Sequence, residues 1–200
     1  MASLWALQLL VPADRSLFAR VEAAIAGGVT LVQLREKERA DGETYRVGLA
    51  LRDLVRHCGA AFFVNDRPDL ALALDADGVH VGQDDLPVAV VRRLAPGLLI
   101  GASSHDTASA LAVRDADYVA FGPVFPTPSK DDADPPTGVP ALQAAARVVG
   151  RPLVAIGGIT VERAGELAQT GIAGVAVISA ILGAPDPGDA ARRLRWALGL

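Results

Sequence analysis

The chain has 200 residues, of which 51% are hydrophobic, and a formal net charge of -4. This size and composition suit one compact domain covering residues 1–200. Acidic and basic residues are mixed along the chain, which excludes the basic surface that nucleic-acid binding requires, and no apolar stretch reaches the length of a membrane span.

The first eleven residues are apolar but lack the basic residues and the cleavage site of a secretion signal. The single cysteine, Cys58, cannot form an internal disulfide, and no Cys/His cluster has metal-finger spacing. We expect Cys58 to fill space at a helix end. These features predict a soluble cytoplasmic protein and leave its oligomeric state open, a homo-oligomer included.

Eight apolar segments predict buried strands. The first lies at 6–10, and each of the other seven ends in a short polar or glycine cluster, at 31–37, 61–67, 78–85, 99–105, 118–123, 153–159 and 174–179. Runs without alternation of apolar and polar residues are typical of parallel strands that helices cover. Segments with helical spacing separate them, at 16–26, 42–58, 68–74, 87–94, 107–114, 140–149, 161–168 and 189–198.

Strict alternation of eight strands with eight helices predicts an α/β protein, most simply a single-domain (β/α)8 TIM barrel. A doubly wound open sheet is the alternative, but no G-x-G-x-x-G follows the first strand and polar clusters follow nearly every strand. In a barrel these clusters converge on one face. The long connection 122–138 leaves the same face, and it is either a loop that closes over a ligand or a disordered segment.

Asp66 and Asp85 follow consecutive strands, so we expect their carboxylates to share one cation. Two acids without a histidine cage favour Mg²⁺ over zinc. Helix capping by Asp66 and by Asp84 or Asp85 explains the spacing equally well.

Cations at the same rim suit a phosphorylated ligand. Arg35 can bind phosphate through two hydrogen bonds, while Lys37 and Lys130 act as point charges. A solvated patch of ion pairs with Glu36 and Glu38 is the alternative.

The turn 157–160 and Ser179 resemble a phosphate cradle, to which Thr127 and Ser129 can add hydroxyl donors. A plain glycine turn is the alternative. Gln33 and Asn65 are amides suited to the edge of a polar heteroaromatic ring, and Ser103 can join them.

Two histidines in or just after predicted strands are expected to have structural roles. We expect His80 to be a hydrogen-bonded interior histidine and His105 to cap the helix that follows it.

Seven motifs in order resemble the thiamine phosphate synthases: QLREK (33–37), NDR (65–67), DGVHVGQDD (77–85), GASSH (101–105), GPVFPTPSK (122–130), IGGI (156–159) and GVAVISA (174–180). The resemblance implies a (β/α)8 barrel that joins a pyrimidine diphosphate to a thiazole phosphate with Mg²⁺. Ser129 stands where the family often has Thr, and the first strand carries little of its signature. A thiazole tautomerase, expected to have histidine where Pro123 stands, and a non-catalytic phosphate-binding regulator are the rival readings.

The family pattern implies a role for each matching residue. Asp66 and Asp85 would hold Mg²⁺. The pyrimidine diphosphate would contact Gln33, Leu34, Arg35, Glu36, Lys37, Asn65, Ser103 and Lys130. The thiazole phosphate would contact Thr127, Pro128, Ser129, Gly158, Ile178 and Ser179. Catalysis would rest on Arg35, Lys37, Ser103 and Lys130.

Overall fold

A computed structural model describes residues 3–127 and 135–200. Its eight strands form a closed parallel barrel in chain order, and β1 pairs with β8. The barrel prediction is therefore confirmed and the open sheet is wrong. The strands are β1 Leu7–Val11, β2 Leu31–Leu34, β3 Ala61–Asn65, β4 Gly78–Val81, β5 Leu99–Ser104, β6 Tyr118–Phe121, β7 Leu153–Ile156 and β8 Gly174–Val177.

Helices surround the barrel: α1 Phe18–Ala26, α2 Asp41–His57, α3 Pro68–Ala73, α4 Val88–Leu94, α5 Thr107–Ala112, α6 Gly138–Val148, α7 Val161–Ala164, α8 Ser179–Leu182 and α9 Pro187–Leu198. Cys58 ends α2 and packs against the core, as expected. Within the described ranges, no helix is long and apolar enough to cross a membrane.

Two predicted helices differ in detail from the structure, and one further helix was not predicted. The segment 16–26 begins as a 3-10 turn, Arg15–Leu17, in which the Ser16 amide donates to the side chain of Asp14. The segment 161–168 divides into α7 and a second 3-10 turn, Gly165–Leu167. The four-residue helix α8 was not predicted, because a single turn is too short to show helical periodicity.

Side chains of the strands alternate between two apolar regions. Those facing outward, such as Val32 and Leu34, join the helices in the larger core. Those facing inward, such as Leu31, Phe63 and Tyr118, fill the barrel. Each large side chain buried in this way contributes about 1.5–3 kcal/mol.

The barrel interior is also polar in part. Gln8, Gln33 and His80 are buried there, each less than 7% exposed. Trp5 lies below them and stacks on Tyr118 with ring centroids 4.6 Å apart. The interior is therefore closed by aromatic rings at one end, while its polar side chains lead toward the carboxyl ends of the strands.

Candidate active site

A cavity of about 580 Å³ opens at the carboxyl ends of the strands, where the sequence places most of its polar clusters. Loops after the strands of a barrel meet at this face, which is where enzymes of this fold carry their active sites. Ten of the predicted site residues line the cavity: Arg35, Lys37, Asn65, Asp66, Asp85, Ser103, Thr127, Gly158, Ile178 and Ser179.

Two predicted residues point their side chains elsewhere. Leu34 belongs to the outer core, where it packs close to Gly48 of α2. Glu36 lines a smaller depression of about 100 Å³ beside α2. Any contact of either residue with a ligand in the main cavity has to come through its backbone.

The four remaining predicted residues are Gln33 and the three residues that follow Thr127 in the chain. Gln33 is buried in the barrel, and its Oε1 has no hydrogen-bond partner in the described structure. Pro128, Ser129 and Lys130 lie outside the described residues. The roles predicted for these four therefore stay predictions.

The carboxylate of Glu36 organises the loop that carries Arg35 and Lys37. Its Oε1 accepts hydrogen bonds from the backbone amides of Lys37, Glu38 and Arg39 at 2.9, 3.0 and 3.4 Å, and its Oε2 accepts one from Ala13 at 3.1 Å. Burial raises the pKa of Glu36, but these amide donors together outweigh burial and leave the pKa below its ordinary value. The loop is thus folded around a charged side chain.

Asp66 and Asp85 come together at the mouth of the cavity. Burial is the largest effect that raises the pKa of Asp66, and its hydrogen bond and repulsion with Asp85 raise that pKa further. Asp66 also has a positive φ of 63°, which is uncommon for a residue with a side chain and often marks a functional position.

The capping alternative for these acids is wrong. The residues that precede α3 and α4 are Arg67 and Pro87, and neither helix has a side-chain cap. Asp85 instead accepts a hydrogen bond from the Gly82 amide at 2.7 Å. Both carboxylates are therefore held at the cavity by their loops.

The nearby cations divide between two tasks. Lys37 Nζ lies 3.5 Å from a carboxylate oxygen of Asp66, at the cavity. The ion-pair partner of Glu36 is Arg39, at 3.4 Å. Among the described residues, Lys37 therefore pairs with Asp66 and not with Glu36 or Glu38. The ion pair of Glu36 is with Arg39, a residue that the patch alternative did not include.

The glycine turn after β7 supports the loop that follows β6. Gly158 has a φ of 63°, and a Cβ there would lie 2.4 Å from the Pro126 carbonyl oxygen. The Phe125 amide donates to the Gly157 carbonyl at 3.1 Å. Glycine is required because two segments of backbone meet at this point.

Arg163 of α7 was missed in the sequence. It lines the cavity, donates to the Gly158 carbonyl at 3.0 Å and lies over the Phe125 ring at 5.2 Å. The sequence signal for Arg163 was its position in the first helical turn after Gly157 and Gly158. Since an arginine in a short helical segment is usually solvent-exposed, that signal was weak.

His80 is the hydrogen-bonded interior histidine that the sequence predicted. Its Nδ1 lies 2.8 Å from the Tyr118 hydroxyl and its Nε2 lies 2.9 Å from Ser103 Oγ. His105 does not cap α5, because Asp106 occupies that position with a capping box. His105 instead hydrogen-bonds to Gln83 at the cavity, at 2.9 Å.

Comparison with known proteins identifies the family. Residues 7–181 match the family profile described as thiamine monophosphate synthase. The chain belongs to the thiamine monophosphate synthase family. A member from Chloroflexus aurantiacus, named thiamine-phosphate synthase, is 51% identical over 183 residues, which cover 90% of this chain and 85% of that protein. A relative of the same name from Pyrococcus furiosus is 45% identical and covers 94% of this chain and 93% of its own length.

A solved structure of the family has the same fold. Thiamine phosphate pyrophosphorylase from Pyrococcus furiosus superposes with a TM-score of 0.89 at 41% identity, over 98% of this chain and 96% of that one. A 3-hexulose-6-phosphate synthase reaches a TM-score of 0.74 at 22% identity, over 96% of this chain and 99% of that one. At that identity the second likeness shows the barrel fold alone.

Proposed function

We propose that this chain joins 4-amino-2-methyl-5-(diphosphooxymethyl)pyrimidine to 4-methyl-5-(2-phosphooxyethyl)thiazole, giving thiamine phosphate and pyrophosphate. Its place in the thiamine monophosphate synthase family supports this reaction. The structural observation that carries it is the pair of facing acids, Asp66 and Asp85, beside Lys37 at the mouth of the cavity. The cavity volume falls in the range that holds small-molecule ligands.

The acid pair fits a magnesium ion. Two carboxylates that repel each other in a partly buried site gain from a divalent cation placed between them. The described residues contain no group of three or more His, Cys, Asp or Glu suited to a metal. Magnesium usually takes one or two protein carboxylates and completes its shell with phosphate oxygens and water. When bound by Asp66 and Asp85, the ion would supply positive charge to the departing pyrophosphate.

The cations of the rim would stabilise the same leaving group. Arg35 and Lys37 line the cavity from the loop after β2, and we assign Lys130 to the same task on the strength of the family motif. Their charges favour the diphosphate more as its bond to the pyrimidine methylene breaks. The methylene then gains carbocation character, and the thiazole nitrogen attacks it. Ser103 would donate to the same substrate, as argued below.

Two side-chain amides, Gln33 and Asn65, are assigned to the pyrimidine ring. Within the part of the chain that the structure describes, the Oε1 of Gln33 has no hydrogen-bond partner. Gln33 is paired in register with Leu10 of the neighbouring strand, and Leu10 lines the cavity. An unpaired buried acceptor is costly, so a ligand that donates to it gains affinity. The exocyclic amino group of the pyrimidine is such a donor. Asn65, at the end of β3, would contact the same substrate.

The thiazole phosphate is assigned to the opposite side of the mouth. Gly158, Ile178 and Ser179 line the cavity there, with Thr127 at the edge of the described loop. Barrels commonly bind phosphate beside their last two strands, where a short extra helix begins. The short helix α8 begins at Ser179, in that position. Pro128 and Ser129 would complete this group.

Purified protein incubated with both substrates and Mg²⁺ should form thiamine phosphate and an equal amount of pyrophosphate. Asp66→Asn should slow product formation, whereas Asp69→Asn, which removes an acid that pairs with Arg67, should leave it nearly unchanged. Absence of thiamine phosphate from the wild-type reaction contradicts the proposal. Isomerisation of a thiazole substrate alone supports the tautomerase reading instead.

A further inference from the structure

A line of buried polar side chains runs from the barrel interior to the cavity. Tyr118 is fully buried, while His80, which is 6% exposed, and Ser103 both line the cavity. The Tyr118 hydroxyl lies 2.8 Å from Nδ1 of His80, and Ser103 Oγ lies 2.9 Å from Nε2. Both ring nitrogens of His80 thus have partners at hydrogen-bond distance. His80 and Ser103 both line the cavity, and within this line the Ser103 hydroxyl is the donor that can be turned toward a ligand there.

Gly101 leaves the space in which Tyr118 and His80 pack against each other. A Cβ at Gly101 would lie 2.2 Å from a ring carbon of Tyr118 and 2.5 Å from Nδ1 of His80. Gly101 is therefore the neighbour that allows the phenol and the imidazole to meet. Trp5 stacks on the Tyr118 ring, with the centroids 4.6 Å apart.

The direction of the hydrogen bonds follows from the chemistry of the groups. A phenol is a strong donor and a neutral imidazole nitrogen is a strong acceptor, so the favoured arrangement has Tyr118 donating to Nδ1. Neutral imidazole carries one proton, which is then on Nε2 and is donated to Ser103 Oγ. The hydroxyl proton of Ser103 is left for the cavity.

The phenol of Tyr118 keeps its proton inside the barrel. Burial is the largest effect on the pKa of Tyr118 and raises it, so the hydroxyl is protonated and available as a donor to His80.

We propose that Tyr118 and His80 are positioning residues that fix the Ser103 hydroxyl as a hydrogen-bond donor toward an acceptor atom of the pyrimidine diphosphate, an inference that rests on the function proposed above. Ser103 is the group that touches the substrate. Tyr118 acts only through His80, and His80 acts only through Ser103.

The first test needs no substrate. Nitrogen-15 NMR of the free protein, labelled at histidine, should show His80 with its proton on Nε2 alone, and the spectrum of His80→Gln identifies its signals among those of the three histidines. Tyr118→Phe keeps the ring and removes the donor, so it should give a mixture of tautomers. A wild-type proton on Nδ1, alone or together with one on Nε2, overturns the inference.

The second test is a double-mutant cycle on the rate of thiamine phosphate formation. Tyr118→Phe should lower kcat about 2- to 12-fold, the value of one ordinary hydrogen bond. The same substitution in Ser103→Ala should have no further effect, because the group through which Tyr118 acts is gone. Equal losses in the two backgrounds indicate a merely structural role and refute the proposal. A wild-type protein that forms no product contradicts the proposed function instead, and the tautomer result still stands.

Discussion

Replacing Glu36 with alanine removes the one acceptor around which the loop after β2 is folded. Three of the amides that donate to Glu36 lie at 2.9, 3.0 and 3.1 Å, and the fourth, at 3.4 Å, is near the limit of a hydrogen bond. At about 0.5–1.5 kcal/mol each, the three shorter bonds total about 1.5–4.5 kcal/mol. Since the loop amides are solvent-accessible, we expect a loss in the lower half, about 1.5–3 kcal/mol.

Glu36→Gln should have an intermediate effect. Its Oε1 can still accept from the loop amides, but its amide nitrogen replaces the oxygen that faces the Ala13 amide, so two donors meet. Urea unfolding measures the free energies, and hydrogen exchange at Lys37 and Glu38 measures the loop locally. Glu38→Ala, at an exposed position of the same loop, is the control.

The effect of Glu36 should also depend on pH. Because the pKa of Glu36 is lowered in the folded protein, its stabilising contribution is present above the ordinary value of 4.5 and is lost as the pH falls through the folded pKa. The wild-type and Glu36→Gln proteins should therefore converge in stability at acid pH. The KM for the pyrimidine diphosphate should rise in Glu36→Ala. Glu36 holds the loop that carries Arg35 and Lys37, and these two residues are assigned to that substrate. Unchanged stability together with normal loop protection refutes this reasoning.

Two further substitutions test the mouth of the cavity. Asp66→Asn should raise the free energy of unfolding of the metal-free protein at neutral pH. The same substitution should lower the rate of thiamine phosphate formation measured with Mg²⁺. Because the pKa of Asp66 is raised, the folded state holds a proton that the unfolded chain releases. The stability of the wild type should therefore decrease as the pH rises above about 3.8. Unfolding measurements across pH should show no such decrease in Asp66→Asn. A variant less stable than wild type at pH 7 contradicts that assignment. Gly158→Ala should cost more than about 1 kcal/mol, from positive φ and collision with Pro126, whereas Gly165→Ala has open space around it and should be nearly neutral in the same thermal unfolding assay. Equal melting temperatures for the two glycine variants count against the packing argument.

The barrel was accessible to sequence reasoning because its strands are uninterrupted apolar runs. The strands from β2 to β8 each begin at the residue predicted, and only β1 is displaced by one position. Burial on both faces leaves this signal in the chain whatever the tertiary contacts are. The cavity followed from the fold, since polar residues at strand ends have to meet at one face of a closed barrel.

Features that depend on partners distant in sequence were not accessible. The residues of the REK motif are all charged, yet Glu36 turns away from the cavity to accept a hydrogen bond from the Ala13 amide, which lies in the loop after β1. The meeting of His80 with Tyr118 depends on the space at Gly101, and that requirement is invisible in a single sequence. The helix α8 is too short to show periodicity. Arg163 was missed because an arginine in a short helical segment is usually solvent-exposed.

The most direct test of the account is the single-turnover rate of thiamine phosphate formation as a function of Mg²⁺ concentration, measured for wild type and for Asp66→Asn and Asp85→Asn. We predict a saturable dependence on Mg²⁺ in the wild type. Each variant should show a lower maximal rate or require more of the ion, while its circular dichroism stays that of the wild type. Full wild-type turnover in the presence of a chelator, or variants as fast as wild type at every Mg²⁺ concentration, would contradict a metal-assisted departure of pyrophosphate at this acid pair.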